Sequence, residues 1–104
     1  MSFRLEFRPQ VSADIFAAAA WYDEQEPGLG AEFAFTVQKR LGELLQNPLL
    51  PRLRDQVRGV RWVYPHRFPY RIIYRVSGQT VLVIAVVHAG RHDRHWKKRI
   101  LATD

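Results

Sequence analysis

RFPYRIIYRVSGQTVLVIAVVH, running from Arg67 to His88, decides the fold. Its two runs, Tyr70–Val76 and Thr80–Val87, are rich in β-branched and aromatic residues, and Ser77-Gly78-Gln79 between them supplies a glycine for a tight connection. The pattern predicts a β-hairpin. Val81-Leu82-Val83-Ile84-Ala85-Val86-Val87 is apolar at nearly every position, which predicts a central strand covered on both faces. The first arm alternates instead: Arg71 and Arg75 share one face, and Tyr70, Ile72, Tyr74 and Val76 share the other. Polar chemistry resumes at His88, where the apolar strand ends.

Upstream of this hairpin, Phe3-Arg4-Leu5-Glu6-Phe7-Arg8 alternates as a half-buried strand that Pro9 closes. Ser12 is placed to cap a helix over Ala13 to about Gln25, with Asp14 near the positive end of its dipole. The small residues Ala17–Ala20 permit close approach of another element. Glu26-Pro27-Gly28-Leu29-Gly30 breaks the helix, and Asp23, Glu24 and Glu26 read as a solvated turn. Phe33, Val37, Leu41, Leu44 and Leu45 then mark a second helix, from about Ala31 to Gln46, which Asn47-Pro48 stops. The short loop between these helices predicts an antiparallel pair laid on the sheet. Residues 49–59, LLPRLRDQVRG, form a basic connector without strong periodicity. Val60–Tyr64 is a strand, Pro65-His66 a corner, and Ala89–Arg99 a dense cationic tail. The fold class is therefore α+β: a small, antiparallel-rich sheet in the order β-α-α-β-β-β, with an N-terminal helical hairpin on one face. One helical pair covers one face only, so the second face of strand 81–87 needs the C-terminal tail, another subunit or a separate protein.

Length and composition narrow the function classes. The 104 residues suit a single domain over 1–104, and 47% apolar residues argue against disorder. No run approaches the roughly 18–20 apolar residues of a membrane span, and MSFRLEFRPQ lacks the pattern of a secretory signal. The absence of cysteine removes disulfides and thiolate metal sites and suits a cytoplasmic protein. Charge divides unevenly: residues 1–50 carry a net −3 and residues 51–104 a net +9. That asymmetry implies a positive surface and an anionic partner, either nucleic acid or an acidic protein segment.

Taken together, Ala18-Ala19-Ala20-Trp21-Tyr22, Pro27-Gly28-Leu29-Gly30, Asn47-Pro48, Arg67–Val76, Val83–His88 and Arg91-His92-Asp93-Arg94-His95-Trp96 resemble the ParE/RelE superfamily of toxins from bacterial type II toxin–antitoxin systems. The resemblance runs from Phe3 to about Trp96. It implies a small sheet with a helical hairpin and a cognate acidic antitoxin that wraps the basic face as a hetero-oligomer. It leaves two targets: ParE-like members act on DNA gyrase, whereas RelE-like members cut messenger RNA on the ribosome.

RNA cleavage through the 2′-hydroxyl requires a base, a cation for the crowded phosphate and an acid for the leaving oxygen. If the chain is RelE-like, Arg61, Arg67 and Arg91 serve the phosphate, and His88 and His92 move protons. No Tyr follows Tyr74, and no Lys stands between Lys39 and Lys97, where RelE-like toxins are lysine-rich. Those departures, with the Trp21–Gly30 segment and His88 directly after the core strand, place the resemblance nearer ParE. For a partner or target the expected contacts are Arg61, Arg67, Arg71, Arg91, His92, His95 and Trp96. His88 at a strand end also suits plain backbone hydrogen bonding, and Trp96 suits a lid on the sheet edge. His92 and His95 lack a second anchored pair, so neither a metal nor a cofactor is expected. A non-toxic RNA-binding sheet is the remaining alternative, but no recognition motif supports it.

Overall fold

The computed structural model describes residues 2–103. Alternation in the N-terminal stretch forms strand β1 (Arg4–Phe7), followed by helices α1 (Gln10–Gln25) and α2 (Leu29–Gln46). Three strands come next: β2 (Val60–Val63), β3 (Tyr70–Ser77) and β4 (Thr80–His88); helix α3 (Arg94–Thr103) ends the chain. The sheet order is β1-β4-β3-β2, so β4 is central as its apolar sequence requires. β1 runs parallel to β4, while β2–β3 and β3–β4 are antiparallel. Among the described residues no helix is long and apolar enough to cross a membrane.

The register steps from Ile73↔Ala85 to Tyr74↔Val83, which leaves Ile84 as an extra residue in β4. This bulge breaks the alternation, so Ile84 and Ala85 both join the core on the α3 side, while Val83 and Val86 join the hairpin side. The hairpin side packs Phe33, Val37, Leu41 and Leu44 of α2 against Ile72, Tyr74, Val81, Val83 and Val86. The opposite side packs Trp96 and Ile100 of α3 on Val60, Ile73, Ile84, Ala85 and Val87, with Trp62 at the margin. Thus the second face of β4 is covered by the C-terminal segment itself. The sequence marks that segment only as cationic, since Trp96 and Ile100 are its sole wide-spaced apolar pair before residue 101.

Two boundaries differ from the sequence expectation. Helix α1 begins at Gln10, after Pro9, because proline at φ −56° is already in helical geometry and has no N–H to leave unpaired. Ser12 therefore lies inside the helix, where its hydroxyl donates back to the Pro9 carbonyl at 3.4 Å. Asp23 is the real cap of the interhelical turn. Its Oδ1 accepts the backbone N–H groups of Gly28 at 3.2 Å and Gly30 at 2.8 Å, at the positive end of α2. Gly28 takes φ 92°, which favours glycine, and a Cβ on Gly30 would collide with the Ala19 carbonyl and the Asp23 carboxylate.

Candidate functional site

Strand β1 stops pairing at Phe7↔Val83, so the last residues of β4 run on with an outer edge that β1 no longer covers. Asp14 of α1 and Arg99 of α3 complete that edge. The Asp14 carboxylate accepts the Val86 N–H at 2.9 Å and both Arg99 terminal nitrogens at 2.6 and 2.7 Å. Arg99 also donates to the Ile84 carbonyl at 3.2 Å. Asp14 pushes the already high pKa of Arg99 higher still, through the hydrogen bond first and its charge second. So Asp14 holds strand and helix together instead of serving the dipole of its own helix.

Above this knot lies a cleft of about 330 Å³ between α1, the end of β4 and the 91–99 segment. Ala13, Ala17 and Ala18 leave room for it on α1, and half-exposed Trp21 forms one end. Tyr70, His88, Arg91 and His95 supply its polar wall. The Tyr70 and His88 rings meet edge to face at 5.4 Å. His88 Nδ1 accepts the Gly90 N–H at 3.0 Å, which leaves Nε2 as the nitrogen that can carry a proton outward. Burial pushes the Tyr70 phenol up, with Arg91 opposing, so this group stays protonated at neutral pH. His95 is held below the ordinary histidine value, first by desolvation and then by Arg91, Arg94 and Lys98. The cleft is therefore a cationic recess with imidazole nitrogens, suited to an anion or an acidic surface.

Of the residues singled out in the sequence, His88, Arg91 and His95 come together here. Arg71 does not face outward. It is 5% exposed, donates to Asp93 at 2.8 Å and to the Arg91 carbonyl at 2.8 Å, and stacks 4.8 Å over Trp62. It is a strut that ties the 91–93 turn to the sheet, and it holds the Asp93 carboxyl below its usual range. Trp96, expected as a contact residue, is 1% exposed and fills the second core, 6.2 Å from the Trp62 ring. His92 turns back on its own loop, where Nδ1 accepts the Arg94 N–H at 3.1 Å. Arg61 stands two strands away from β4 and donates to the Pro51 carbonyl at 2.7 Å. Arg67, at φ 76°, pairs with Glu32 at the start of α2. Asp14, Trp21 and Tyr70 were missed as members of the site. Only the alanine-rich face next to Trp21 hinted at an open recess there. Among the described residues no group of three His, Asp or Glu side chains could hold a metal ion.

The family model described as "ParE toxin of type II toxin-antitoxin system, parDE" matches residues 5–93. A search of curated proteins finds no match. Among solved structures, the chain superposes on one titled as the chromosomal ParDE toxin–antitoxin system from P. aeruginosa, with a TM-score of 0.72, 20% identity, and coverage of 83% of this chain and 95% of that one. It also superposes on a mutant of the E. coli toxin RelE in the free state, with a TM-score of 0.68, 19% identity and full coverage of both chains. At such identities these two likenesses speak for the fold.

Proposed function

The chain belongs to the ParE toxins of type II toxin–antitoxin systems, and from that premise we propose that it inhibits DNA gyrase by contact, in the cytoplasm, until a cognate acidic antitoxin neutralises it. A cognate antitoxin follows from the family. The choice of gyrase rests on the dispersal of the arginines. A ribonuclease must gather its phosphate-binding cations around one reacting phosphate. Here Arg61 is engaged at the far side of the sheet, Arg67 is paired with α2, and Arg71 is a buried strut. Of the expected arginines only Arg91 stands at the cleft, beside His88 and His95, while Arg99 there is committed to Asp14; this surface is suited to holding an acidic protein region.

RelE-like cleavage of messenger RNA on the ribosome is the second reading, favoured by the same cleft. His88 and His95 could share acid and base roles there, with Arg91 beside the phosphate. The two readings diverge in how activity is lost. Contact inhibition gives graded losses for His88→Ala and Arg91→Ala, because contact energy is spread over several residues. Catalysis gives a drop of about 10²–10⁴-fold for the proton-transfer residue, with binding nearly intact. Purified protein is assayed for blocked supercoiling by gyrase and for cut messenger in a translating extract. Blocked supercoiling with graded losses is expected. Codon-specific cleavage that vanishes in His88→Ala, with gyrase unaffected, would make the protein an endoribonuclease.

A further inference from the structure

Residues 47–58, NPLLPRLRDQVR, lie between α2 and β2 and gather exposed apolar side chains. Leu49, Leu50, Leu53 and Val57 are 54%, 76%, 38% and 93% exposed. They are four of the nine large apolar side chains exposed among the described residues, so the exposure is concentrated rather than scattered.

The loop does not expose them for want of anchorage. The Tyr74 hydroxyl donates to the Pro48 carbonyl at 2.7 Å inside the core, and Arg61 Nε donates to the Pro51 carbonyl at 2.7 Å. Arg54 N–H donates to the Val60 carbonyl at 2.8 Å, and Val60 N–H to the Asp55 carbonyl at 3.0 Å. Asp55 accepts the Arg58 backbone N–H at 3.0 Å and its guanidinium at 2.9 Å, which holds the carboxyl below its usual range. Arg54 lies 5.1 Å over the Trp62 ring. The sheet thus pins a loop whose apolar side chains point to solvent, and a pinned loop loses little freedom when a partner covers it.

We propose that this loop seats the antitoxin, through a segment that offers apolar side chains to Leu49, Leu50 and Val57 and carboxylates to Arg52 and Arg54. This rests on the family assignment, which supplies the partner, and not on gyrase as the target. Charge complementarity fixes the sign: Asp55 is the loop's one acid against Arg52, Arg54 and Arg58, and residues 51–104 carry a net +9. Nucleic acid fits poorly, because the loop has no aromatic ring for bases to stack on and phosphates would leave the leucines uncovered. The neighbouring geometry extends the seat. β2 is the last strand of the sheet, and the Asp55–Val60 bridge covers only its first residue. An extended segment leaving the loop therefore meets the open edge of Arg61–Val63 and can add a strand there.

The test uses Leu50→Asp and Val57→Asp, whose side chains are too exposed for the fold to depend on them. Binding of the antitoxin encoded beside the toxin is measured by calorimetry, and hydrogen exchange locates the contact. Affinity is expected to fall by on the order of 30-fold or more in either variant. In the wild-type complex, amide protection is expected at 49–57 and 61–63. Affinity within about threefold of wild type in both variants would overturn the proposal. So would protection confined to α1 and α2, or variants that lose only binding to phosphatidylglycerol vesicles, which would make the loop a membrane contact. Gyrase inhibition is assayed on the same proteins: if wild type leaves gyrase untouched, the target reading fails while the antitoxin result stands.

Discussion

One face of the sheet lies under α1 and α2 and the other under α3 alone, and the two are held by different physics. Beneath the helical hairpin, Phe33, Val37, Leu41 and Leu44 interlock with Ile72, Tyr74, Val81 and Val83, and aromatic contacts join Tyr22, Phe33, Phe68 and Tyr70 at 4.9–6.0 Å. Each such side chain contributes about 1.5–3 kcal/mol on burial, so this face is secured chiefly by apolar area. Under α3 the buried apolar side chains among the described ones of the helix are Trp96 and Ile100. The Arg71–Asp93 pair fastens the turn that leads into it, and the Arg99–Asp14 pair fastens its middle. A helix this rich in cations gains from such ties, and ties of charge respond to salt, which leaves apolar packing largely indifferent.

The largest expected effect tests the hairpin face. Phe33→Ala removes a fully buried ring and should cost about 3–5 kcal/mol, lowering the denaturant midpoint of the whole chain. Trp96→Ala removes an equally buried ring, but its loss should first release α3 while hairpin and sheet persist. Circular dichroism melts with amide exchange distinguish the two. If both variants shift every amide by the same amount, the two faces form one cooperative unit and α3 is not separately held.

Next in size is Arg99→Ala. The Asp14 and Arg99 side chains are 12% and 21% exposed, so removing the cation leaves a largely buried carboxylate whose remaining partner is the Val86 N–H. Full burial would make this about 3–5 kcal/mol; partial solvent access reduces it to about 2–3 kcal/mol. Faster exchange in α3 and at Val86, with α2 unchanged, is the expected signature. The gap between wild type and variant should narrow as salt rises, whereas the Phe33→Ala gap should not.

How far these faces were legible follows from the same physics. Periodicity within a segment announces itself: the hairpin from Arg67 to His88, the steps of three and four through α2, and the split of Arg71 and Arg75 from Tyr70, Ile72 and Tyr74 all read directly. The ParE-like character was equally visible in the residues that carry the resemblance. Contacts between distant positions leave no such trace. Asp14 and Arg99 meet across most of the chain, and neither neighbourhood hints at the other. Asp23 looked like part of a solvated acidic turn because its role is to accept two backbone N–H groups that exist only once the turn forms. Trp96 was read as a contact residue or a lid on the sheet edge, yet it is buried together with Ile100 against the sheet. That inversion also moved Arg71 from contact surface to strut, and left His88, Arg91 and His95 as the part of the expected site that stands together.

The smallest effect at neutral pH grows in alkali, and it returns to the hairpin face. Tyr74 is fully buried there, and its hydroxyl donates to the Pro48 carbonyl. Tyr74→Phe should cost about 1–2 kcal/mol at pH 7, because it strands a buried carbonyl. Desolvation pushes the Tyr74 phenol from its ordinary value of 10.0 up to about 12, with Arg61 and then Arg40 opposing. The folded state therefore holds the proton more tightly than the unfolded chain does. Below pH 10 both states are protonated and the stability is fully present. Between about pH 10 and 12 the unfolded chain ionises first, and about 2–3 kcal/mol is lost. Tyr22 and Tyr70 are pushed in the same direction by burial on this face, so wild type should weaken steeply in that window. Urea midpoints at half-unit steps from pH 7 to 11.5 give the comparison. Tyr74→Phe should start lower and fall less, so the two curves converge toward pH 11.5. Parallel curves would mean that Tyr74 exchanges its proton as freely as an exposed tyrosine, and that the hairpin face is looser than its packing implies.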